Sequence, residues 1–571
     1  MTRPADDLAR LAQEFWADTL AAHPIEATAI GERGHDDAVD DISPEAVERE
    51  RLRLLHVAAR ARAIPESALD PVELVTRTAL IEETEGEAAV LGEHLDEWTV
   101  DVVNGWPTAI QNVPSFQTAD TPERAAAMVE RWRAFGGLID QLTANLRRGL
   151  RDDRVATHAP VGRAIDALTA TLATSDEESA LLAPLRATDD GAAPTAGGSP
   201  AQRAAFAEAL TAAVHDRIKP ALARHRAFLA DEVLPRARPD GRPGIAELPG
   251  GDAAYRTLVR RHTTLDLAPE ELHATGLAEV ERINAEMAEL GKRVLATGSR
   301  ADALARLRGD PAMHFSTRAE VEATARAALD RANAAVPAWF GRLPVAPCVV
   351  VPMPAHEEEH STIAYYRPPA SDGSRPGQYY LNTSHPASRP RYEAECLAFH
   401  EAVPGHHLQI AIAQELDGLP EFRRHLGATA FWEGWGLYTE RLSNEMGLYS
   451  GDLDRIGMLS MDAWRACRLV VDTGMHALGW SRQAAIDYMV ANSALAENNI
   501  ANEVDRYIVW PGQALAYKAG QLEMLRLRAE AKAQLGARFD IRSYHDAVLS
   551  HGAISLTSLR GVVKAWVTDA G

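Results

Sequence analysis

The sequence predicts a mostly α-helical protein, a large multi-helix body around a cleft with a small β-sheet beside one helix. Apolar residues recur at helical spacing along most of the chain, as at Leu8, Leu11 and Phe15. Only residues 345–383 differ, because there β-branched and aromatic runs flank a Pro- and Gly-rich segment. The chain has 571 residues, of which 46% are hydrophobic and 25% charged, so it is long enough for two or more globular domains.

The order of the elements suggests two regions. Helical patterns follow one another from about Leu8 to Ala230, and the pair Thr121-Pro122 is typical of a helix start. A Pro- and Gly-rich stretch then separates this part from the rest. We therefore predict an N-terminal helical region, 1–245, and a catalytic helical region, 246–571, which carries the small sheet.

Composition excludes several functions. The net charge of −22 argues against binding to nucleic acids or to anionic membranes. No run approaches the ~18 apolar residues of a membrane span, and no signal peptide is recognisable, so we expect a cytoplasmic protein. The three cysteines are far apart and favour neither a disulfide framework nor a thiolate metal site. Nothing in the sequence indicates an oligomeric state.

The chemistry is concentrated in Phe399-His-Glu-Ala-Val-Pro-Gly-His-His-Leu-Gln, which spans 399–409. A His followed directly by a Glu, with further His residues nearby, is similar to the active-site helix of zinc hydrolases. Catalytic zinc takes about three protein ligands and leaves a position for water, which needs a carboxylate to accept its proton. On this pattern His400 is the first ligand and Glu401 the general base.

The spacing of the other His residues requires a break in the helix. Position i+4 from His400 is Pro404, whereas His406 lies about 240° around a straight helix and His407 roughly 10 Å further along its axis. Pro404 removes a backbone donor and Gly405 permits unusual dihedrals. We expect a bulge or break that brings His406 to the metal and leaves His407 as a neighbour of the ligands, although the sequence does not decide between the two.

The motif His-Glu-x-x-Pro-Gly-His resembles the DUF885 family, which looks like a distant branch of the helical zinc peptidases of the thimet-oligopeptidase and angiotensin-converting-enzyme kind. The segments 250–255, 262–273 and 505–520 also resemble blocks of this family. The resemblance implies a third ligand, a Glu from a following helix. Glu433 in Phe-Trp-Glu-Gly-Trp-Gly matches that position, and Glu440 follows as a group that orients a ligand His.

The same resemblance implies a Tyr from a late helix that donates a hydrogen bond to the oxyanion. Tyr507 and Tyr517 are the candidates, with Arg506 close by in sequence. Separately, Asp472 and His476 are i,i+4 neighbours within an apolar helical pattern. They indicate either a His directed at the substrate or an internal polar network.

These observations predict a zinc metallohydrolase that cleaves an amide bond in a peptide or peptide-like small molecule. Two alternatives remain from the sequence. One is a metalloenzyme that modifies a small metabolite by other chemistry, and the other is a non-catalytic helical binding protein with a vestigial site. A di-iron bundle is disfavoured because no Glu-x-x-His pair serves the three His residues of the motif.

Overall fold

The computed structural model describes residues 3–186, 197–353, 358, 363–370, 373 and 375–570. Helices make up most of this part of the chain, and three short strands form one sheet. The predicted class, mostly α with a small sheet, is therefore confirmed. Within the described ranges, no helix combines the length and the hydropathy needed to cross a bilayer.

The chain forms two compact units, which we call the N-terminal and C-terminal units. The N-terminal unit comprises Gln13–Val57 and Glu87–Gly251, and the C-terminal unit comprises Met1–Ala12, Ala58–Gly86 and Asp252–Gly571. This division differs from 1–245 and 246–571, since residues 1–12 and 58–86 belong with the later part of the chain.

The reason is a set of contacts within the C-terminal unit. Arg261 forms an ion pair with Glu83 at 2.8 Å, and the Arg423 guanidinium donates to the Thr76 hydroxyl at 2.8 Å. Such long-range partners leave no signal in local periodicity.

Helices of the first half begin and end as follows: α1 Pro4–Ala22, α2 Pro24–Ile30, α3 Pro44–Ala63, α4 Pro71–Leu91, α5 Trp106–Asn112, α6 Pro122–Arg151, α7 His158–Ala173, α8 Pro200–Ala213 and α9 Lys219–Phe228. The α6 start is the one predicted, since the Thr121 side chain accepts a hydrogen bond from the Arg124 N–H at 3.2 Å. The core of the N-terminal unit is built around α6, whose Trp132 and Phe135 are fully buried.

Helices of the second half are α10 Gly251–Thr263, α11 Pro269–Val294, α12 Arg300–Gly309, α13 Arg318–Ala335, α14 Ala394–Glu401, α15 His406–Gln414, α16 Glu421–His425, α17 Thr429–Glu445, α18 Asp452–His476, α19 Arg482–Asn492, α20 Glu497–Val509, α21 Leu515–Leu535, α22 Ile541–Leu549 and α23 Leu556–Ala570. Two long pairs dominate the C-terminal unit: α11 packs along α18, and α17 packs along α21. The second pair includes α17, which carries Glu433 and Glu440.

The sheet has three strands, β1 Cys348–Pro352, β2 Ala364–Arg367 and β3 Gly377–Leu381, in the order β1-β3-β2. β1 pairs with β3 in parallel, with Val350 opposite Tyr379, and β2 pairs with β3 antiparallel. Val350 and Tyr379 belong to the same buried core as Phe399 of α14. The sheet therefore lies against the motif helix, within the predicted range 345–383.

Candidate metal centre

The motif helix breaks where the sequence predicts. α14 ends at Glu401 and α15 begins at His406, with a cis peptide bond between Val403 and Pro404. A Cβ atom at Gly405 would lie only 1.9 Å from the His400 carbonyl oxygen, so the return of the chain requires glycine there. The Trp435 indole N–H donates to the Pro404 carbonyl at 3.0 Å, and this bond holds the break against α17.

The break brings three side chains together. The Glu433 Oε2 atom lies 3.7 Å from His400 Nε2 and 3.6 Å from His406 Nε2. All three donor atoms are within 4.8 Å of one another, and the two imidazole rings meet nearly edge to face. Their side chains are 3%, 12% and 20% exposed for His400, His406 and Glu433, so the cluster is buried but keeps an opening.

His400 is oriented from behind by Glu440. The His400 Nδ1 atom lies 2.8 Å from Glu440 Oε1, and both side chains are almost fully buried. With the proton on Nδ1, the lone pair of Nε2 faces Glu433. A carboxylate in this position fixes the tautomer and orientation of a ligating imidazole. The Arg465 guanidinium, 3.6 Å from the same Glu440 oxygen, balances its charge.

Two glycines allow α17 to approach this closely. A Cβ at Gly436 would lie 2.6 Å from the His400 ring, and one at Gly434 would lie 2.5 Å from the backbone of Gly520 on α21. The two glycines therefore permit a close approach of α17 to both neighbours. It places Glu433 and the imidazole of His400 on facing sides of the same small space.

The donor set fits a divalent metal ion. Two imidazoles and one carboxylate are a ligand set of catalytic zinc sites, and bonds of about 2.1 Å in a tetrahedron separate neighbouring ligand atoms by about 3.4 Å, close to the spacing found here. Burial alone would lower the pKa of His400, but the carboxylates of Glu433 and Glu440 raise that pKa to about 9. Burial opposes ionisation of Glu433, yet the two imidazoles hold its pKa well below the usual range. The site therefore presents an ionised carboxylate to a cation, and binding of that cation displaces the second proton of the His400 imidazole.

Glu401 is the last residue of α14 and its side chain is partly exposed. Its charge contributes to the raised pKa of His400. It also acts on Tyr379, whose pKa is raised first by burial and then by Glu401. The Tyr379 hydroxyl is buried and has no hydrogen-bond partner among the described residues. Sequence reasoning missed Tyr379, since a tyrosine in a strand gives no signal beyond strand propensity.

His407 does not join the cluster. Its Nδ1 lies 2.9 Å from the Tyr366 hydroxyl of β2, and its Nε2 lies 3.0 Å from the Ala346 carbonyl. The carbonyl fixes a proton on Nε2 and leaves Nδ1 as the acceptor, so both ring nitrogens are used. Burial lowers the pKa of His407 to about 4 and keeps the ring neutral. Of the two candidate second His residues, the structure brings His406 to the cluster.

The two candidate tyrosines differ in their surroundings. The Tyr507 hydroxyl accepts from Trp464 Nε1 at 3.1 Å and from Arg468 Nε at 2.8 Å, and donates to Glu503 at 2.8 Å. Tyr517 instead lies on α21 about one turn before Gly520, whose backbone meets Gly434 beside Glu433, and burial followed by the charge of Glu433 raises its pKa. Tyr517 is therefore the better placed of the two.

Arg506, predicted near the site, donates to Gln513 Oε1 at 2.8 Å and contacts Glu503. Arg468 was not identified from the sequence, although a charged residue within the apolar pattern of α18 is a usable signal. It is only 3% exposed.

Asp472 and His476 lie elsewhere in the C-terminal unit's core. Asp472 accepts hydrogen bonds from the Tyr255 hydroxyl at 2.5 Å and the Gly512 N–H at 3.1 Å. His476 Nε2 donates to the Tyr507 carbonyl at 3.0 Å. Burial raises the pKa of Asp472 to about 7. These contacts are those of an internal polar network, the second of the two interpretations that the sequence allowed.

Comparisons with known proteins place this geometry in context. The chain matches the DUF885 family, described as "Bacterial protein of unknown function", over residues 24–563. No functionally curated protein matches it. A solved structure described as "the putative lipoprotein from Colwellia psychrerythraea" is similar at 26% identity, with 100% of both chains covered and a TM-score of 0.90.

Two further solved structures are more distant. A "putative lipoprotein of unknown function from Shewanella oneidensis" is similar at 18% identity, covering 98% of this chain and 99% of the other, with a TM-score of 0.74. A "putative oligoendopeptidase F from Bacillus anthracis str. Ames" matches at 13% identity, 92% and 95% coverage, and a TM-score of 0.33, which does not establish a common fold.

The description of the first two neighbours as lipoproteins contradicts the cytoplasmic location that we predicted. That prediction depended on the start of the sequence, which does not decide location. The match over residues 24–563 shows that this chain belongs to the DUF885 family.

Proposed function

We propose that this protein is a zinc-dependent hydrolase that cleaves an amide bond in a peptide or a peptide-like small molecule. The observation that carries the proposal is the convergence of His400, His406 and Glu433. Glu401 directly follows His400, the first ligand, in the sequence. A metal site with an adjacent carboxylate is the minimum that metal-assisted hydrolysis needs.

In this proposal each residue of the candidate site has a separate role. His400, His406 and Glu433 would hold the ion. When bound, zinc supplies a Lewis acid that polarises a carbonyl group and makes water more acidic. The Glu401 carboxylate accepts a proton from the attacking water and later delivers it to the leaving nitrogen. Glu440 keeps the Nδ1 proton of His400 in place throughout.

Tyr517 is the proposed hydrogen-bond donor to the oxyanion. Its raised pKa keeps the phenol protonated at neutral pH, as a donor must be. Loss of one such donor costs about 2.7–4 kcal/mol of transition-state stabilisation in enzymes where this has been measured. The hydroxyl of Tyr507 is committed to Arg468 and Glu503, which leaves Tyr517 for this role.

The proposal is tested with Glu401→Gln. Metal analysis of the purified wild-type protein and of the variant should find one zinc per chain in both. Hydrolysis of a mixture of short synthetic peptides, followed by mass spectrometry, should fall at least about a hundredfold in the variant, because a general base contributes that much or more. Glu421→Gln is the matched control, as that carboxylate lies on α16 and its side chain is 52% exposed.

Two results would contradict the proposal. One is full hydrolytic activity in Glu401→Gln. The other is wild-type protein that binds no zinc while the control proteins fold normally by circular dichroism.

A further inference from the structure

Two arginines beside Tyr517 share a single carboxylate. Arg468 on α18 and Arg506 on α20 both donate to Glu503 Oε2, at 3.0 and 3.2 Å. Among the residues that the structure describes, Glu503 is the only carboxylate paired with either arginine. Two guanidinium groups and one carboxylate leave one positive charge uncompensated, in a chain whose net charge is −22.

The hydrogen bonding of this pair is also incomplete. Arg468 is buried, with its guanidinium 4.4 Å from the Trp464 ring centroid and 4.1 Å from that of Tyr517. Its NH1 group has no partner within the described part of the chain. A buried ionic donor without a partner is costly, so its presence indicates an acceptor supplied from outside. Arg506 keeps 15% of its side chain exposed and is the member of the pair that solvent reaches.

The position of the pair relates it to the candidate metal centre. Arg468 stacks on the ring of Tyr517 on α21, and Tyr517 lies about one turn before Gly520, whose backbone approaches Gly434, the residue after Glu433. The surplus positive charge therefore lies beside the part of α21 that packs against α17, the helix of Glu433. An anionic group bound at the arginines would lie a short distance from a bond held at the metal centre.

We propose that Arg468 and Arg506 form a carboxylate-binding subsite, and that the substrates are peptides with a carboxylate close to the scissile amide. Guanidinium groups bind carboxylates through charge-assisted and often bidentate hydrogen bonds. The carboxylate has two sources, a free C-terminus or an acidic side chain. The inference rests on the proposed function where it calls the ligand a substrate, whereas the binding itself does not depend on hydrolysis.

Binding to Glu401→Gln protein tests the subsite without turnover. The probes are an acetylated alanine tripeptide with a free terminal carboxylate, the same peptide as a terminal amide, and that amide with glutamate as its last residue. Calorimetric titrations are made with zinc and after chelator treatment, so that direct binding of a carboxylate to zinc is recognised. We expect the free acid, or the glutamate peptide, to bind about tenfold or more tightly than the plain amide in both conditions.

Variants of the two arginines then test whether these side chains cause the preference for the carboxylate. Arg468→Met and Arg506→Gln, each in the Glu401→Gln background, should reduce the preference for the carboxylate to less than about twofold. Arg455→Gln is the control, because that arginine also lies on α18 and its side chain is 41% exposed. Since Arg468 is buried, circular dichroism and thermal melting check its fold, and the partly exposed Arg506 gives an independent result.

The outcomes separate the two proposals. Equal binding of the three peptides, or a preference that survives both arginine variants, overturns the subsite even if the wild type hydrolyses amides. A carboxylate preference that depends on the arginines supports the subsite even if no peptide is cleaved. A preference for the free acid identifies a terminal carboxylate, and a preference for the glutamate peptide identifies an acidic side chain.

Discussion

Two buried groups of charged side chains lie in the C-terminal unit, and they are built in opposite ways. Lys518 is fully buried and donates to Asp462 at 2.5 Å and to Gln521 at 2.7 Å, while Arg441 also donates to Asp462 at 2.5 Å. In the second group, Glu433 stands 3.6 and 3.7 Å from its two imidazoles, too far for a normal hydrogen bond. The first group is complete in itself, whereas the second surrounds a space the size of an ion.

The difference shows how to distinguish a structural ion cluster from a binding site. Both contain buried charges with strongly shifted pKa values: burial opposes ionisation of Asp462, yet Lys518 and Arg441 hold the pKa of this carboxyl well below its usual range. A shifted pKa alone thus does not identify function. The feature that sets the second group apart is the convergence of donor atoms that do not bond to one another.

The largest effect is expected from Lys518→Met. Removing one partner of a buried ion pair leaves a carboxylate without full compensation and costs about 3–5 kcal/mol of unfolding free energy. The loss should be the same with and without chelator, since this cluster needs no metal. Urea denaturation measures it, with Lys532→Met, exposed on the same helix, as control. A loss below about 1 kcal/mol would show that the cluster is not the stabilising element we describe.

A smaller effect is expected from Glu440→Gln. The variant loses the carboxylate that holds His400 Nδ1, and comparable changes behind metal ligands weaken affinity about 10- to 100-fold. Competition with a chelating dye measures zinc affinity. Glu445→Gln on the same helix, with its carboxylate 44% exposed, should leave the affinity unchanged. Equal zinc affinities of Glu440→Gln and Glu445→Gln would show that Glu440 does not support the candidate metal centre.

The smallest effect is expected from Gly436→Ala. The new methyl group would meet the His400 ring at 2.6 Å, and overpacking of this kind costs about 1–3 kcal/mol, reduced by about 0.5–1 kcal/mol of improved helix propensity. Gly137→Ala on α6 has open space around it and should stabilise instead. Urea denaturation measures the unfolding free energy of both variants, which should fall in Gly436→Ala and rise in Gly137→Ala. A stabilising Gly436→Ala would mean that His400 is not packed against α17.

The predictable parts of this structure are those that depend on residues close to one another in the sequence. Pro404 and Gly405 interrupt a helical pattern, so the break follows from backbone chemistry. Gly434 and Gly436 within a helix imply close packing, which the structure shows against Gly520 and His400. The β-branched run at 349–351 gives a strand for the same kind of reason.

What could not be predicted depends on pairing between distant residues. Two examples are the packing of residues 58–86 within the C-terminal unit and the hydrogen bond between Tyr366 and His407. The i,i+4 spacing of Asp472 and His476 is compatible with either of two roles, and only Tyr255 and Gly512, remote in sequence, show that Asp472 sits in a structural network.

Helix α17 carries more of the candidate centre than its one ligand suggests. Within eight residues it supplies four groups of the candidate centre. They are the Glu433 carboxylate, the Trp435 indole that donates to the Pro404 carbonyl, the glycine at 436 that leaves room for the His400 ring, and the Glu440 carboxylate that orients His400. A displacement of this helix would alter all four at once. Assembly of the candidate centre is therefore coupled to the docking of α17, because all four groups depend on the position of one helix.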